Sequence, residues 1–324
     1  MPKVSVIVPV YGVEEYIERC AKSLFEQTLD DMEYIFVNDC TKDSSIEKLE
    51  SVINNYPNRK SQIKILHHPE NRGLPHARAT GISAATGDYI AHCDSDDWCA
   101  RSMYEDLYTT AQEKDYDVVF CDYYTSDGLD RIYHSCKTLL DKRSVLSDTL
   151  TQRIAVSVWN KLVKRSLYGD RIIYPQYNMG EDLALMVQLF LKASTFGYIS
   201  KPLYYYYLNP GSISKAPSLS SSEARWIDLY NNTQLIIQSL DNSGLTDAFT
   251  EEVKILKLNS KNISLLPIVY DKKYRNIWLE AYPDLTFRDH VGIKNKIRYI
   301  LVYVGLYSLI FKLRRLDVKQ HQLS

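Results

Sequence analysis

The chain has 324 residues, of which 45% are hydrophobic and 24% charged, a composition that predicts a globular protein with a substantial core. Its formal net charge of -1 gives no overall attraction for polyanions, so the composition does not indicate a nucleic-acid-binding protein. The six cysteines form no C-x-x-C pair and no zinc-finger spacing, which predicts free thiols in a reducing compartment.

The first 122 residues alternate between strand-like and helix-like patterns. The chain opens with an apolar run at residues 4–10, which predicts a buried strand; Pro9 breaks this run, which is too short for a signal peptide, so we expect a cytoplasmic protein. Further strands are predicted at residues 34–37, 63–67, 89–92 and 118–121, and helices at residues 17–25, 46–54, 74–85 and 102–114. This alternation predicts an open α/β sheet, in which ligands bind at the carboxyl ends of the strands.

An acidic cluster, Asp94-Ser95-Asp96-Asp97, follows the fourth predicted strand. Neighbouring carboxylates raise one another's pKa, so the cluster predicts a compensating cation, and hard oxygen ligands favour Mg²⁺ or Mn²⁺. The alternative is an Asx turn or a helix cap, which the same residue types favour. The chain contains neither a G-x-G-x-x-G fingerprint after the first strand nor a Walker motif, so neither a dinucleotide-binding fold nor a P-loop ATPase is predicted.

Five motifs in a fixed order resemble those of the family 2 glycosyltransferases. They are VSVIVPVY at residues 4–11, VNDCTKD at 37–43, NRGL followed by Ala77-Arg78, GDYI at 87–90 and DSDD at 94–97. The resemblance extends to about Ser214. It implies a GT-A fold, a nucleoside-diphosphate sugar donor such as a UDP-sugar, and inverting transfer to a hydroxyl group. The acceptor expected by analogy is a glycan or lipid-linked oligosaccharide in surface polysaccharide synthesis.

The resemblance also implies roles for residues in the first half of the chain. The donor-binding group would consist of Pro9, Tyr11, Asp39, Arg78, Asp94 and Ser95. Asp96 would bind Mn²⁺ or Mg²⁺ on the diphosphate. Asn38 stands where the family usually has a second Asp. The alternatives are that Asp39 caps the following helix and that Arg78 is a solvent-exposed helix residue.

Glu181 and Asp182 match the E-D motif of the family, in which the Asp removes a proton from the acceptor hydroxyl. We therefore expect Asp182 to be the catalytic base and Glu181 to orient the acceptor. Stabilisation of a helix N-terminus, here the predicted helix 183–193, is the alternative explanation of these two acids.

Four further residues are expected near the acceptor or in a lid. Trp159 and Lys161 resemble a W-x-K-L element on the acceptor side, although a buried Trp beside a cation is also ordinary packing. The stretch from Tyr204 to Ser214 resembles the loop that closes the site and includes Tyr207 and Ser212. The family often has Arg where this chain has Tyr207.

We expect a GT-A catalytic domain at residues 1–215, with a nucleotide-sugar half at about 1–122 and an acceptor half at about 123–215. Residues 216–324 form the second expected region, with a Ser-rich linker at 218–222 and helices at 223–240 and 250–265. A catalytically silent nucleotide-sugar-binding or glycan-binding protein of the same fold is the alternative function.

The last predicted feature is an apolar run at residues 299–311, which is bracketed by Lys294, Lys296 and Arg298 and by Lys312, Arg314 and Arg315. It is too short to span a bilayer but suits a helix lying in the membrane interface. We therefore expect peripheral association with an anionic membrane, on the inner face of the plasma membrane. A core helix or a dimer contact is the alternative.

Overall fold

A computed structural model describes residues 2–209, 219–263, 273–289 and 293–306 of the chain. The chain divides into two compact units, residues 1–212 and 213–324. The assignment of residues 1–215 to a catalytic domain with a donor half and an acceptor half stays a prediction.

The described residues of the first unit contain one sheet of nine strands. They are β1 (Val4–Val10), β2 (Met32–Asn38), β3 (Ile63–His67), β4 (Tyr89–His92), β5 (Trp98–Cys99), β6 (Val118–Ser126), β7 (Arg131–His134), β8 (Lys161–Lys164) and β9 (Phe196–Tyr207). Their order is β3-β2-β1-β4-β8-β6-β9-β5, and β7 pairs with β6. The neighbouring pairs β3–β2, β2–β1 and β1–β4 are parallel. Strand β8 is antiparallel to both β4 and β6.

Six α-helices accompany this sheet within residues 2–209, the described part of the first unit. They are α1 (Ile17–Phe25), α2 (Ser45–Asn54), α3 (Leu74–Ala84), α4 (Met103–Glu113), α5 (Lys142–Leu150) and α6 (Glu181–Lys192). In α1, apolar residues recur at helical spacing and are all buried, so the helix packs with one face against the core. In α6, every residue from Leu183 to Phe190 is buried. The predicted α/β architecture, an open sheet flanked by helices, is confirmed.

The structure differs from the sequence prediction most in the second half of this unit. Residues 204–207, four consecutive tyrosines expected in a closing loop, are the end of strand β9, where Tyr204 and Tyr205 pair with Tyr123 and Tyr124 of β6. Aromatic side chains favour strands because they pack against cross-strand neighbours, and here that preference prevails.

Parallel strands bring several motifs to one edge of the sheet. The adjacent strands β2, β1 and β4 end at Asn38, Val10 and His92, and the residues that follow them are Asp39, Tyr11 and the acidic cluster. This is the edge at which open α/β sheets bind ligands.

The second unit is helical in its described parts. Its α-helices are α7 (Leu219–Asn242), α8 (Thr250–Ile263), α9 (Lys273–Glu280) and α10 (Ile293–Tyr303). The predicted helical C-terminal region is confirmed. The predicted Ser-rich linker is wrong from Leu219 onward, because these residues begin α7; serine costs a helix only a fraction of a kcal/mol. Within the described ranges, no helix combines the length and the apolar content needed to cross a bilayer.

Candidate active site

One arginine joins three carboxylates that come from separate parts of the sequence. Arg78, in the middle of α3, is 2% exposed, and its Nη2 atom lies 2.9 Å from Oδ1 of Asp94, which follows β4. Its Nε atom donates to Oε1 of Glu181 at 2.7 Å, and Nη2 lies 3.4 Å from Oδ1 of Asp182, both in the first turn of α6. The structure therefore brings together four of the residues predicted for the site.

The two acids of α6 differ in their electrostatics. Burial would raise the pKa of Asp182, but the charge of Arg78 and a hydrogen bond with Glu181 hold it below its ordinary value. Burial raises the pKa of Glu181 well above its ordinary value. The charge of Arg78 opposes this rise, and the charge of Asp182 adds to it. The two shifts have opposite directions, and the one at Asp182 favours the ionised form that a general base requires.

Asp182 also has a free acceptor position. Its Oδ1 atom is buried and accepts no hydrogen bond from the residues that the structure describes. Nη2 of Arg78 lies 3.4 Å from this oxygen, so the guanidinium charge partly compensates it. Glu181, by contrast, is 3% exposed and pairs with Arg78. Its expected role in orienting an acceptor stays a prediction.

The acidic cluster is held by strand β9. Asp97 is fully buried and accepts hydrogen bonds from Oη of Tyr204 at 2.7 Å and from the backbone N–H of Tyr207 at 2.6 Å. The hydroxyl of Tyr204 also accepts from the backbone N–H of Asp94 at 3.0 Å. Burial raises the pKa of Asp94 to about 7, although Arg78 opposes the shift.

Asp96 has the properties expected of a metal ligand. Its carboxylate accepts a hydrogen bond from Nδ2 of Asn209 at 3.0 Å, and Arg19 donates to its backbone carbonyl at 2.6 Å. Burial nevertheless raises the pKa of Asp96, so its negative charge is only partly compensated. A half-buried carboxylate of this kind fits a divalent cation with oxygen ligands.

Asp96 does not form a complete metal site by itself. Across the parts of the chain that the structure describes, no group of three His, Cys, Asp or Glu side chains is arranged to hold a metal ion. An ion at Asp96 would therefore take most of its ligands from water and from a bound diphosphate, as Mg²⁺ commonly does.

Asp39 lies in a second hydrogen-bonded group at the same edge of the sheet. Its carboxylate accepts from the backbone N–H groups of Arg72 and Gly73, at 2.9 and 2.7 Å. Nδ1 of His68 lies 2.7 Å from Oδ1 of Asp39, and Nε2 of His68 lies 2.8 Å from Oγ1 of Thr80. Asp39 therefore fixes the loop before α3, and its contact with a nucleotide base stays a prediction.

His68 is the residue of this group that sequence reasoning missed. The spacing of His68 from the other histidines fits no metal site, so motif spacing does not single it out. A signal was available, since His67 ends β3 opposite Asn38 of the parallel strand β2, which places the next residues of both strands side by side. Strand register, rather than motif spacing, identifies the pair.

The other predicted donor residues occupy different environments. Tyr11 follows β1 and is 49% exposed. Pro9 is buried within β1, and Ser95 is buried inside the acidic cluster. Their contacts with a donor stay predictions.

The residues expected on the acceptor side are mostly packed into the interior. Trp159 is buried and stacks on Tyr204, with the ring centroids 4.3 Å apart. The ammonium group of Lys161 is buried too, and it donates to the carbonyl oxygens of Ala155 and Ser157. These contacts hold the loop before β8.

Tyr207 makes a cation–π contact with Arg19 of α1. The guanidinium of Arg19 lies 4.6 Å from the ring centroid of Tyr207 and 4.0 Å from that of Trp98. Ser212 lies outside the described residues. For the residues predicted on the acceptor side, a direct contact with substrate stays a prediction.

Comparison with known sequences gives matches that cover half of the chain or more. The profile of the family "Glycosyl transferase family 2" matches residues 5–173. The glycosyltransferase EpsJ of Bacillus subtilis (strain 168) is 31% identical over 313 residues, which are 94% of this chain and 84% of EpsJ.

Two solved structures share the fold. A crystal structure of residues 1–349 of S. aureus TarS with UDP has a TM-score of 0.67 and 22% identity, and the match covers 99% of this chain and 92% of that one. The mannosyltransferase PcManGT from Pyrobaculum calidifontis, with GDP-Man and Mn²⁺, has a TM-score of 0.56 and 16% identity, covering 94% and 80%. The expected GT-A fold is confirmed.

Proposed function

The chain belongs to glycosyl transferase family 2 and is a glycosyltransferase, and from this premise we propose that it is an inverting, metal-dependent enzyme. Its donor is a nucleoside-diphosphate sugar, in our proposal a UDP-sugar. Its acceptor is a hydroxyl group of a glycan or of a lipid-linked oligosaccharide in surface polysaccharide synthesis.

The observation that carries this proposal is the position of Arg78. It touches both Asp94, in the motif expected to bind the donor, and Asp182, the expected base. Inverting transfer needs a base on the face of the sugar opposite the leaving diphosphate. A single buried side chain that contacts both carboxylates supports one site with the donor and the base on its two sides.

In the proposed reaction, the acceptor hydroxyl oxygen forms a bond to the anomeric carbon while Asp182 accepts the hydroxyl proton. The bond between the anomeric carbon and the diphosphate oxygen breaks, and its electron pair leaves with the nucleoside diphosphate. The low pKa of Asp182 keeps this carboxylate ionised at neutral pH, which supports its role as the base. Arg78 holds the Asp182 carboxylate in place throughout.

The metal is proposed to bind at Asp96. The only partly compensated carboxylate supports this assignment, as does the Mn²⁺ bound to the related fold of PcManGT. When bound, Mn²⁺ or Mg²⁺ offsets negative charge on the departing nucleoside diphosphate. The UDP in TarS supports a uridine nucleotide as the donor's leaving group.

Two isosteric variants separate the proposed roles. Asp182→Asn should lower the transfer rate by about 10²-fold or more, because it removes the base, and should leave UDP binding unchanged. Asp96→Asn should abolish transfer and, unlike Asp182→Asn, should reduce the UDP affinity measured in Mn²⁺ to the level measured without the ion. Transfer is followed by release of UDP from a panel of UDP-sugars, and UDP affinity by calorimetry.

The control is Asp106→Asn, which changes an acid of α4 that pairs with Lys201 on the surface. This variant should behave like the wild type in both assays. Transfer at a near-normal rate by Asp182→Asn would contradict the assignment of the base. Mn²⁺-dependent UDP binding that survives in Asp96→Asn would contradict the metal assignment.

A further inference from the structure

Helix α10 has two apolar faces, and the residues that the structure describes cover one of them. On the inner face, Val302 is fully buried against Trp278 of α9, and Tyr299 packs against the same indole at a centroid distance of 5.7 Å. Arg275 donates to the backbone carbonyls of Val302 and Tyr303, which stabilises the C-terminal end of the helix. These contacts fix which side of α10 points outward.

The outward side carries a stripe of aliphatic residues at helical spacing. Ile293, Ile297, Ile300 and Val304 are 72%, 45%, 45% and 54% exposed. They are separated by four, three and four positions, so they share one face of α10 and its C-terminal end. Polar residues normally occupy the solvent face of a helix in a globular protein, and an uninterrupted aliphatic stripe there indicates a contact surface.

Aromatic residues extend this surface at its margin. Tyr303 is 61% exposed, and Phe287, which precedes α10, is 38% exposed. Tyrosine at such a margin suits the boundary between an apolar phase and water, because its ring is apolar and its hydroxyl is polar.

The charge on this helix is entirely positive. Between Ile293 and Tyr303 the sequence contains Lys294, Lys296 and Arg298 and no acidic residue. Nζ of Lys296 lies 5.6 Å from the ring centroid of Phe287, so a cation stands beside the exposed aromatic ring. Cations bordering an apolar stripe are the combination that binds anionic lipid headgroups while the aliphatic side chains enter the acyl region.

From these observations we propose that the face of α10 formed by Ile293, Ile297, Ile300 and Val304 is the surface by which the protein lies on an anionic lipid membrane. The inference rests on the proposed function in one respect, since a lipid-linked acceptor would be presented at such a surface. It concerns a different part of the chain from the active site. The 18 residues that follow Leu306 continue with apolar residues and then Lys312, Arg314 and Arg315, so their composition favours the same partner.

The test uses the full-length protein and vesicles of phosphatidylcholine with or without phosphatidylglycerol. The wild type should co-sediment with the anionic vesicles, and binding should weaken when NaCl is raised from about 0.1 M to about 0.5 M. Ile297→Asp should reduce the partition coefficient about tenfold or more, because the variant places a charge where an aliphatic side chain enters the bilayer. Lys296→Glu should reduce binding to anionic vesicles only.

Ile227→Asp is the matched control. Ile227 is a 41% exposed isoleucine of α7, so the same substitution at a similar exposure should leave vesicle binding unchanged. Circular dichroism establishes that each variant is folded, and Ile300→Asp replaces Ile297→Asp if that variant is not. Equal vesicle binding by the wild type and the folded stripe variant would overturn the proposal.

Two other results would also overturn it. One is absence of wild-type binding to anionic vesicles. The other is a wild-type dimer, detected by sedimentation velocity, that the stripe variant does not form, together with no vesicle binding by the wild type. This result would assign the face to a second copy of the chain. UDP binding, measured on the same samples, keeps this test separate from the proposed reaction, because that reaction can fail while vesicle binding persists.

Discussion

His92 is a buried imidazole at the end of β4, next to the ion pairs of Arg78. Neither of its ring nitrogens has a hydrogen-bond partner among the described residues. Burial, followed by the charge of Arg78, lowers the pKa of His92 to about 3. The side chain is therefore neutral in the folded protein over the whole physiological pH range.

This neutrality makes the folded state sensitive to acid. In the unfolded chain His92 should titrate near pH 6.5, so below that value the unfolded state binds one proton more than the folded state. The free energy of unfolding therefore does not depend on His92 above about pH 6.5. It decreases as the pH falls below that value, by about 2 kcal/mol at about pH 5. His92→Phe should remove this loss, which is measured as the change in urea-derived unfolding free energy between pH 7 and pH 5.

The control for this measurement is His67→Asn, which changes an exposed histidine at the end of β3. Its pH dependence should match that of the wild type. If His92→Phe and the wild type lose equal stability between the two pH values, the imidazole is not the group responsible.

Single residues of the site were predictable, but their connections were not. Asp94, Glu181 and Asp182 carry recognisable motifs, so the sequence identifies them one at a time. Arg78 and Glu181, however, are 103 positions apart, and their contact depends on how α3 and α6 meet beside the sheet. An arginine is ordinarily exposed, and here three carboxylates make its burial possible.

At the scale of elements, strand β9 is the support of the acidic cluster. The hydroxyl of Tyr204 donates to Asp97 and accepts from the backbone of Asp94. Tyr204→Phe removes both contacts and leaves the buried carboxylate with one partner fewer. We expect a loss of about 1–3 kcal/mol in the free energy of unfolding, measured by urea denaturation.

The neighbouring Tyr205→Phe serves as the comparison, because it removes the same hydroxyl from a half-buried ring that stacks on Trp98. This variant should change the stability by much less. Similar losses in both variants would mean that ring packing, rather than the hydrogen bonds to the acidic cluster, explains the effect.

The elements that the sequence predicted are those with a clear hydrophobic period. Strands β1, β2 and β4 bury nearly continuous apolar runs and helices α1, α2 and α4 bury one apolar face, and their predicted positions agree with the structure to within a few residues. Strand β5 has only two residues, and β9 mixes lysine, proline and tyrosine, so neither has such a period. Their position in the sheet comes from pairing with distant strands.

At the scale of the whole molecule, each unit has a hydrophobic core of its own. The core of the first unit joins the sheet to α1, α2 and α4, and the second unit buries Trp226, Leu258, Ala281, Tyr282 and Leu285 together. A unit with its own core can fold independently. We therefore expect a fragment of residues 1–212 to fold without the rest of the chain.

The expected result is a cooperative thermal transition of the fragment in near-ultraviolet circular dichroism, together with complete loss of vesicle binding because α10 is absent. The full-length chain under the same conditions is the reference. A fragment without fixed tertiary structure would contradict the independence of the first unit, and a fragment that still binds anionic vesicles would contradict the role of α10.

The ion pairs of Arg78 restrict how this sequence can change during evolution. Replacing Arg78 alone leaves three carboxylates around a buried site, and breaking a buried ion pair typically costs about 3–5 kcal/mol, a large part of the total stability of a domain. Replacing Glu181 alone removes one partner of a buried guanidinium, so either order of substitution passes through a destabilised intermediate. Arg78 and its carboxylate partners should therefore be retained together or replaced together. The effects of their substitutions on the free energy of unfolding should be strongly non-additive.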